Sequence, residues 1–506
     1  MGFYEKMEKE ATKTFTYNGS PTFSSSLNKN LDLFALGGAL RQCSGRDVQN
    51  LFSDAFLEDR ETALRNLVHL RDIRNGGLGE RRAFREAVKY LTNREDTNNI
   101  ILGLVKHLPD FGRWDDVVYI FSQSKDDKVK KDIARFILGT LKSDMDKVQI
   151  GKGNNISLAA KWLPSVTASS KKTRALAKEL IQYMFGTCNP HLEKTYRKTL
   201  SNLRKRLDVV EVKMTAREWK DIDYPRVPSL AAIKYRKAFH RNDSERYEHY
   251  LKELSQGRTS INASVTYPYQ IVQAYQRESH VSMLLEEAWN ALPDYLDGSD
   301  ERAIVVADTS GSMIGTPMDV AISLAIYCAQ RLQGEFNGKY ISFSNKPTIN
   351  TVNPDATLLD NIYKVFKTDW GANTDINKVF NLILDTAISN KMKQEELPTK
   401  IIIVTDMQFD DSNYSLDTQS KLKPTNYEVI KEKFQRNGYK IPQVIFWNVN
   451  AESKVVPVQK DEIGTALVSG FTPSIFESVL TGDILNPEKF MLDTLYQEKY
   501  DFVKGF

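Results

Sequence analysis

Ala303-Ile-Val-Val-Ala-Asp308-Thr-Ser310-Gly-Ser312-Met313 is the stretch on which the reading of the chain turns. An unbroken apolar run ends in an aspartate, and two serines follow at alternate positions. Such a run predicts a strand buried on both faces, as in a parallel sheet. In a doubly wound sheet, ligands sit beyond the carboxyl ends of the strands. One carboxylate and two hydroxyls there are hard oxygen donors suited to Mg²⁺, or to another divalent cation such as Mn²⁺. Lys400-Ile-Ile-Ile-Val-Thr-Asp406 repeats the pattern of buried strand and terminal aspartate. Between them, Gly371-Ala-Asn-Thr374-Asp375 opens a helical pattern (Ile376, Val379, Phe380, Ile383, Leu384) and offers a further hydroxyl. The competing reading is local: the serines cap the next helix and Asp406 closes a turn.

Outward from these stretches, apolar strands at 303–307, 340–343, 401–405 and 443–448 alternate with helical patterns at 317–333, 375–389, 424–436 and 473–481. That alternation predicts a parallel sheet with helices on both faces. The pattern changes at the breaker-rich join Ala291-Leu-Pro-Asp-Tyr-Leu-Asp-Gly-Ser-Asp300. Before it there is almost no strand signal, only amphipathic helical patterns with short polar breaks. Val129, Ile133, Phe136, Ile137 and Leu141 recur at helical spacing, as do Leu176, Leu180, Ile181, Met184 and Phe185. Asn189-Pro190 reads as a cap followed by a first-turn proline, and Thr215-Ala-Arg-Glu218 as a capping box. The expectation is a multidomain chain: a polar lead over 1–20, all-α HEAT-like helical repeats over 21–297, and an α/β doubly wound, Rossmann-like domain over 298–506. No clean repeat period is visible, so the repeats must be degenerate.

Composition narrows the classes. An apolar fraction of 41% is ample for real cores across 506 residues. No stretch approaches the roughly 18 apolar residues that span a bilayer, and the first residues lack an apolar signal core. Cys43, Cys188 and Cys328 are far apart and odd in number, which argues against a disulfide framework or a zinc site. The expectation is a cytoplasmic protein with no membrane partner. The net charge of +4 is uneven. Residues 151–240 hold 19 Lys/Arg against 7 Asp/Glu, whereas residues 301–506 hold 21 against 26. A basic region of that kind is an electrostatic footprint for nucleic acid, or else a solvated helical face.

The order Asp308-x-Ser310-x-Ser312, then Thr374, then Asp406 resembles the metal-ion-dependent adhesion site of von Willebrand factor A domains. The resemblance implies that Ser310 and Ser312 bind the ion through their hydroxyls and that Thr374 binds directly or through water. Asp308 and Asp406 would act mostly through waters, leaving one position for an acidic group of a protein partner or a phosphate. A second resemblance covers roughly residues 18–500. Leu70-Arg71-Asp72-Ile73-Arg74-Asn-Gly76-Gly77-Leu-Gly79-Glu80-Arg81-Arg82-Ala-Phe84-Arg85 and Phe111-Gly112-Arg113-Trp114-Asp115-Asp116 are similar to signatures of the Ro ribonucleoprotein (TROVE) family. In that family helical repeats form a ring closed by a von Willebrand A domain. Small structured RNAs bind its basic outer surface, and single-stranded ends enter its hole.

From the residues themselves, the arginines around Gly76, Gly77 and Gly79 either cradle phosphate or pair with Asp72, Glu80 and Glu86 at a helix corner. Trp114 is expected to pack on the neighbouring repeat. The RNA-binding candidates lie in the basic region: Lys161, Lys171, Lys172, Arg174, Lys194, Arg197, Lys198, Arg204, Lys205 and Arg206. Phosphate contacts of this kind carry no DNA sequence specificity. An enzyme is not expected. There is no Walker A pattern, and the second acid of a haloacid-dehalogenase-type site is replaced by Ser310. Two functions stay open: an RNA-binding ribonucleoprotein scaffold with an Mg²⁺-dependent partner site, or an Mg²⁺-dependent interaction module without RNA.

Overall fold

The computed structural model describes residues 2–151, 155–263, 265–299, 301–343, 347–367, 374–411 and 424–506. The sheet expected in the second half has six strands: β3 (Ala303–Ala307), β4 (Lys339–Ser342), β5 (Thr348–Thr351), β6 (Lys400–Thr405), β7 (Gln443–Asn448) and β8 (Thr465–Ser469). The first two strands of the chain, β1 (Lys13–Phe15) and β2 (Pro21–Phe23), form a separate antiparallel hairpin. The spatial order is β5-β4-β3-β6-β7-β8, all parallel except the edge strand β5. The chain therefore winds outward from β3 in one direction, then crosses back to β6 and winds outward in the other. The reversal lies between β3 and β6, where Ala307 pairs with Val404. Every residue of β6 and β8 is buried, which is why β6 reads as an unbroken apolar run rather than an alternating one.

The rest of the chain is mainly helical, and one of the two caps that the sequence anticipates is present. Asn189 accepts from the amides of His191 (3.1 Å) and Leu192 (3.0 Å), and the helix Pro190–Arg206 starts there. Val129, Ile133, Ile137 and Leu141 form the buried stripe of the helix Asp127–Gln149. The capping box expected at Thr215 is absent. The helix Val210–Ala216 ends there instead, with Arg217 in the left-handed region (φ 61°). The Thr215 hydroxyl donates back to the Glu211 carbonyl at 2.7 Å, which uses it inside the helix.

Residues 2–26 are docked structure rather than a bare lead. A helix, Phe3–Ala11, precedes the hairpin, and Phe23 exchanges backbone bonds with Val456 in the second half. The helical array also begins and ends on the α/β part. At its start, the helix Lys29–Gly37 lies on β8. The Gly38 amide donates to Ser469 Oγ (2.9 Å), which itself donates to the Phe34 carbonyl (2.7 Å). At its end, the helix Pro268–Tyr275 packs on the helix Thr316–Arg331. There the amides of Gln273 and Gln276 hold the Asp319 carboxylate at 2.8 and 2.6 Å. One apolar core runs through both regions, joining residues of 23–48 and 210–296 to the sheet and its helices. A second core lies within residues 33–203 and takes in Tyr500 and Val503 from the chain's last turn. Among the described residues no helix is long and apolar enough to cross a membrane, and all three cysteines are free.

Candidate functional site

The carboxyl ends of β3 and β6 adjoin because the strands pair in register, and two aspartates follow them directly. Asp308 is fully buried. Its Oδ2 accepts from the Thr405 hydroxyl of the neighbouring strand (2.6 Å), and its Oδ1 accepts from the Ser310 amide (2.9 Å). Burial pushes its carboxyl up to about 6, and the charge of Asp406 adds to the shift. Burial also raises Asp406, against the Ser312 hydroxyl that stabilises its charge. Ser310 Oγ and Ser312 Oγ lie 3.1 Å apart. Asp308, Ser310, Ser312 and Asp406 thus form one connected cluster at the point where strand order reverses.

Thr374 is joined to the loop that follows Asp406. Its amide donates to Asp410 Oδ2 (2.7 Å), and the Asp410 amide donates to its carbonyl (3.1 Å). Its hydroxyl is buried with no hydrogen-bond partner. The neighbouring Gly371, Ala372 and Asn373 lie outside the described residues. Neither serine makes a side-chain cap bond to the 3₁₀ turn Gly311–Met313 or to the helix Thr316–Arg331. Asp406 does close a turn, accepting from the Gln408 amide at 3.1 Å. Among the described residues no three of His, Cys, Asp and Glu converge. A cation here would rest on two carboxylates and three hydroxyls. Two crowded carboxyls held above their ordinary range, beside the hydroxyls of Ser310 and Ser312, suit a hard divalent ion.

Sequence reasoning singled out neither Thr405 nor Asp410 as a site residue. Thr405 ends the apolar run of β6, where a hydroxyl facing the adjacent aspartate was the available signal. Asp410 carried no such signal, because its role depends on a residue 36 positions earlier in the chain.

The basic candidates divide in three. Lys171, Lys172, Lys194, Arg197, Lys198, Lys205 and Arg206 are exposed and form no ion pair among the described residues. Arg174 and Arg204 instead spend their guanidiniums on the chain. Arg174 donates to the carbonyls of Ala168 (2.6 Å) and Ser169 (2.8 Å), and Arg204 to those of Ala160 (2.8 Å) and Leu163 (2.9 Å). Lys161 stands apart from both groups, half-buried 5.8 Å from the Trp162 ring centre.

Lys161 and Trp162 line a cavity of about 810 Å³ whose walls come from residues 41–79, 113–114, 158–162, 207–235, 265–270, 293–295 and 472–474. Seven basic and three acidic residues line it. Of the basic ones, Arg74, Arg113, Lys161 and Lys234 have no ion-pair partner among the described residues. Arg113 is held over Trp162 at 5.5 Å, and burial lowers its pKa.

Three arginines of the glycine-rich corner, Arg71, Arg81 and Arg85, are ion-paired, with partners other than those expected, whereas Arg82 donates to backbone carbonyls. Arg71 pairs with Asp116 (2.7 Å), and Arg85 with Asp115 (2.9 Å) and Asp116 (2.8 Å). Asp72 instead caps the turn through the amides of Arg74 and Asn75, Glu80 pairs with Arg41, and Glu86 with Lys89. Trp114 stacks on Phe136 of the helix Asp127–Gln149, with ring centres 5.5 Å apart.

Fold and site together define a class: a helical array that starts and finishes on a doubly wound α/β sheet, with an acid–hydroxyl cluster at the sheet's switch point. Residues 16–129 and 115–297 match the model of a family described as domain of unknown function DUF2828, and the chain belongs to that family. Residues 302–501 match a second model, domain of unknown function DUF7788. The chain is also similar to an uncharacterized protein of Acanthamoeba polyphaga mimivirus, 30% identical over 517 residues, which covers 96% of this chain and 87% of that protein.

Proposed function

We propose that this protein is an RNA-binding scaffold in which HEAT-like helical repeats close into a ring on a von Willebrand A-type domain, as in the Ro (TROVE) family it resembles. The observation that carries the reading is the cavity lined by Lys161 and Trp162. Four cations without carboxylate partners face a volume bounded by an aromatic ring. Unpaired charge beside a stacking surface is the chemistry that holds a single-stranded phosphate chain and its bases. The exposed Lys194, Arg197 and Lys198 on the helix Pro190–Arg206 would add contacts to structured RNA outside. Fluorescence anisotropy with a short single-stranded RNA tests the reading. An Arg113→Ala/Lys161→Ala variant, which removes two phosphate-binding cations, is expected to bind at least tenfold more weakly. Equal binding by this variant and the unaltered protein would reject the cavity as the site.

A second reading, an Mg²⁺-dependent interaction module without RNA, is favoured by the cluster at the switch point. Ser310, Ser312 and Thr374 would hold the cation through their hydroxyls, with Asp308 and Asp406 orienting them or bound waters. A bound Mg²⁺ supplies an electrophilic position for a partner carboxylate. Asp308, fixed by Thr405 and Ser310, would set the geometry, and Ser312, exposed at the rim, would face the partner. Pull-downs with Asp308→Ala are expected to lose those partners whose capture depends on Mg²⁺. Retention of all of them would dismiss this reading.

A further inference from the structure

The loop that carries Asp406 is held by residues from the opposite end of the chain. The Thr16 hydroxyl donates to the Phe409 carbonyl at 2.7 Å. The Tyr17 amide donates to Gln408 Oε1 at 2.8 Å, and Asn18 Nδ2 donates to the Gln408 carbonyl at 2.7 Å. Gly19, at φ 84°, forms an antiparallel bridge with Asp410. Asp410 then fixes Thr374 through both backbone bonds described above. The β1–β2 turn is thereby joined, residue by residue, to two of the five oxygen donors. The remaining three stand on β3's own loop, and their side-chain hydrogen bonds run to one another, to Thr405 and to Asp406.

We infer that the β1–β2 hairpin is a positioning element for the cation site, and that cation binding and hairpin docking are thermodynamically linked. The inference rests on the metal reading given above. Without the hairpin, segment 406–411 loses four of its tethers, and Asp406 and Thr374 lose their fixed separation from Ser310 and Ser312. A hard cation demands defined oxygen geometry, so a looser loop weakens it. Linkage is reciprocal: if docking tightens the ion, the ion tightens docking by the same factor. Thr16, Tyr17 and Asn18 are positioning residues that touch no ion themselves.

Mn²⁺ alone is the probe, titrated by electron paramagnetic resonance, alongside hydrogen exchange of residues 12–26. The unaltered protein is expected to bind Mn²⁺, and the ion to slow exchange in the hairpin. A Thr16→Val/Asn18→Ala variant is expected to bind three- to tenfold more weakly, with the exchange effect of Mn²⁺ reduced. Thr22→Val is the comparison, because it removes a hairpin bond to Val456 (2.9 Å) that is remote from the loop. With the tethers to 406–411 intact, it is expected to weaken Mn²⁺ binding less than Thr16→Val/Asn18→Ala does. If the unaltered protein binds Mn²⁺ but Thr16→Val/Asn18→Ala matches it and exchange ignores the ion, the linkage is overturned while the metal reading stands. If the unaltered protein binds no Mn²⁺, the metal reading fails and the inference with it. The exchange measurement needs no variant, so a variant that fails to fold leaves the test intact.

Discussion

Asp308 shows what it costs to place two acids at one switch point. With no exposed surface and Asp406 as a neighbour, its carboxyl rises from the ordinary 3.8 to about 6. A group whose folded-state pKa is raised contributes stability below its unfolded value and loses it as pH rises through the folded one. The metal-free protein should therefore lose stability between about pH 4 and pH 6, by on the order of 2 kcal/mol from this residue. An Asp308→Asn variant should lack that component, so its melting temperature should fall less over the same range. Mg²⁺ at pH 7 should stabilise the unaltered protein and leave the variant unmoved. Parallel pH profiles for the two would show that the carboxyl is not perturbed as described. The same residue was legible in the sequence, since a buried strand ending in aspartate needs only local pattern. Its partner Thr405 was not, because that pairing depends on strand register rather than on spacing.

Among elements, the helix Lys29–Gly37 and β8 bring backbone close to backbone across the two halves. A Cβ on Gly38 would stand 2.6 Å from the Ser469 carbonyl carbon and 2.7 Å from Gly470 Cα, both backbone atoms. Gly38 has ordinary helical angles (φ −71°, ψ −13°), so the glycine is required by space and not by conformation. Gly38→Ala should gain up to ~1 kcal/mol of local propensity and lose about 2–3 kcal/mol to overpacking. The steric loss wins, and urea unfolding is expected to show a lower midpoint. An unchanged midpoint would mean the two elements separate without penalty. Elements of this kind also mark where sequence reading ran out. Long amphipathic helices and buried runs such as β6 announce themselves. β5 and β8 do not: β5 is a short polar edge, and Thr465-Ala-Leu-Val-Ser469 holds only three apolar residues. The hairpin β1–β2 was hidden for the same reason, because three-residue strands gain their stability from docking rather than from pattern.

At the scale of the whole molecule, the cavity is assembled from segments 41 to 474 and belongs to no single element. No local motif predicts it, and of its unpaired cations the sequence offered Lys161 as an RNA contact and Arg74 as part of a phosphate-cradling turn, but neither Arg113 nor Lys234. The charge asymmetry singled out residues 151–240 but could not separate Arg204, spent on carbonyls, from Arg206, left exposed. If RNA occupies the cavity, its binding should weaken with salt in proportion to the phosphates neutralised. Removing two cations should then lower the logarithmic slope by about 1.4.

The apolar core that passes from the first and last helices into the sheet has a consequence for how this architecture evolves. A gene fragment ending near residue 297 would encode helices whose greasy faces have nothing to lie against, and its complement would be a sheet stripped of its covers. Neither half is a portable module. Recombination that exchanged one without the other would have to rebuild the shared interior at the same moment, so the two are expected to travel through genomes together.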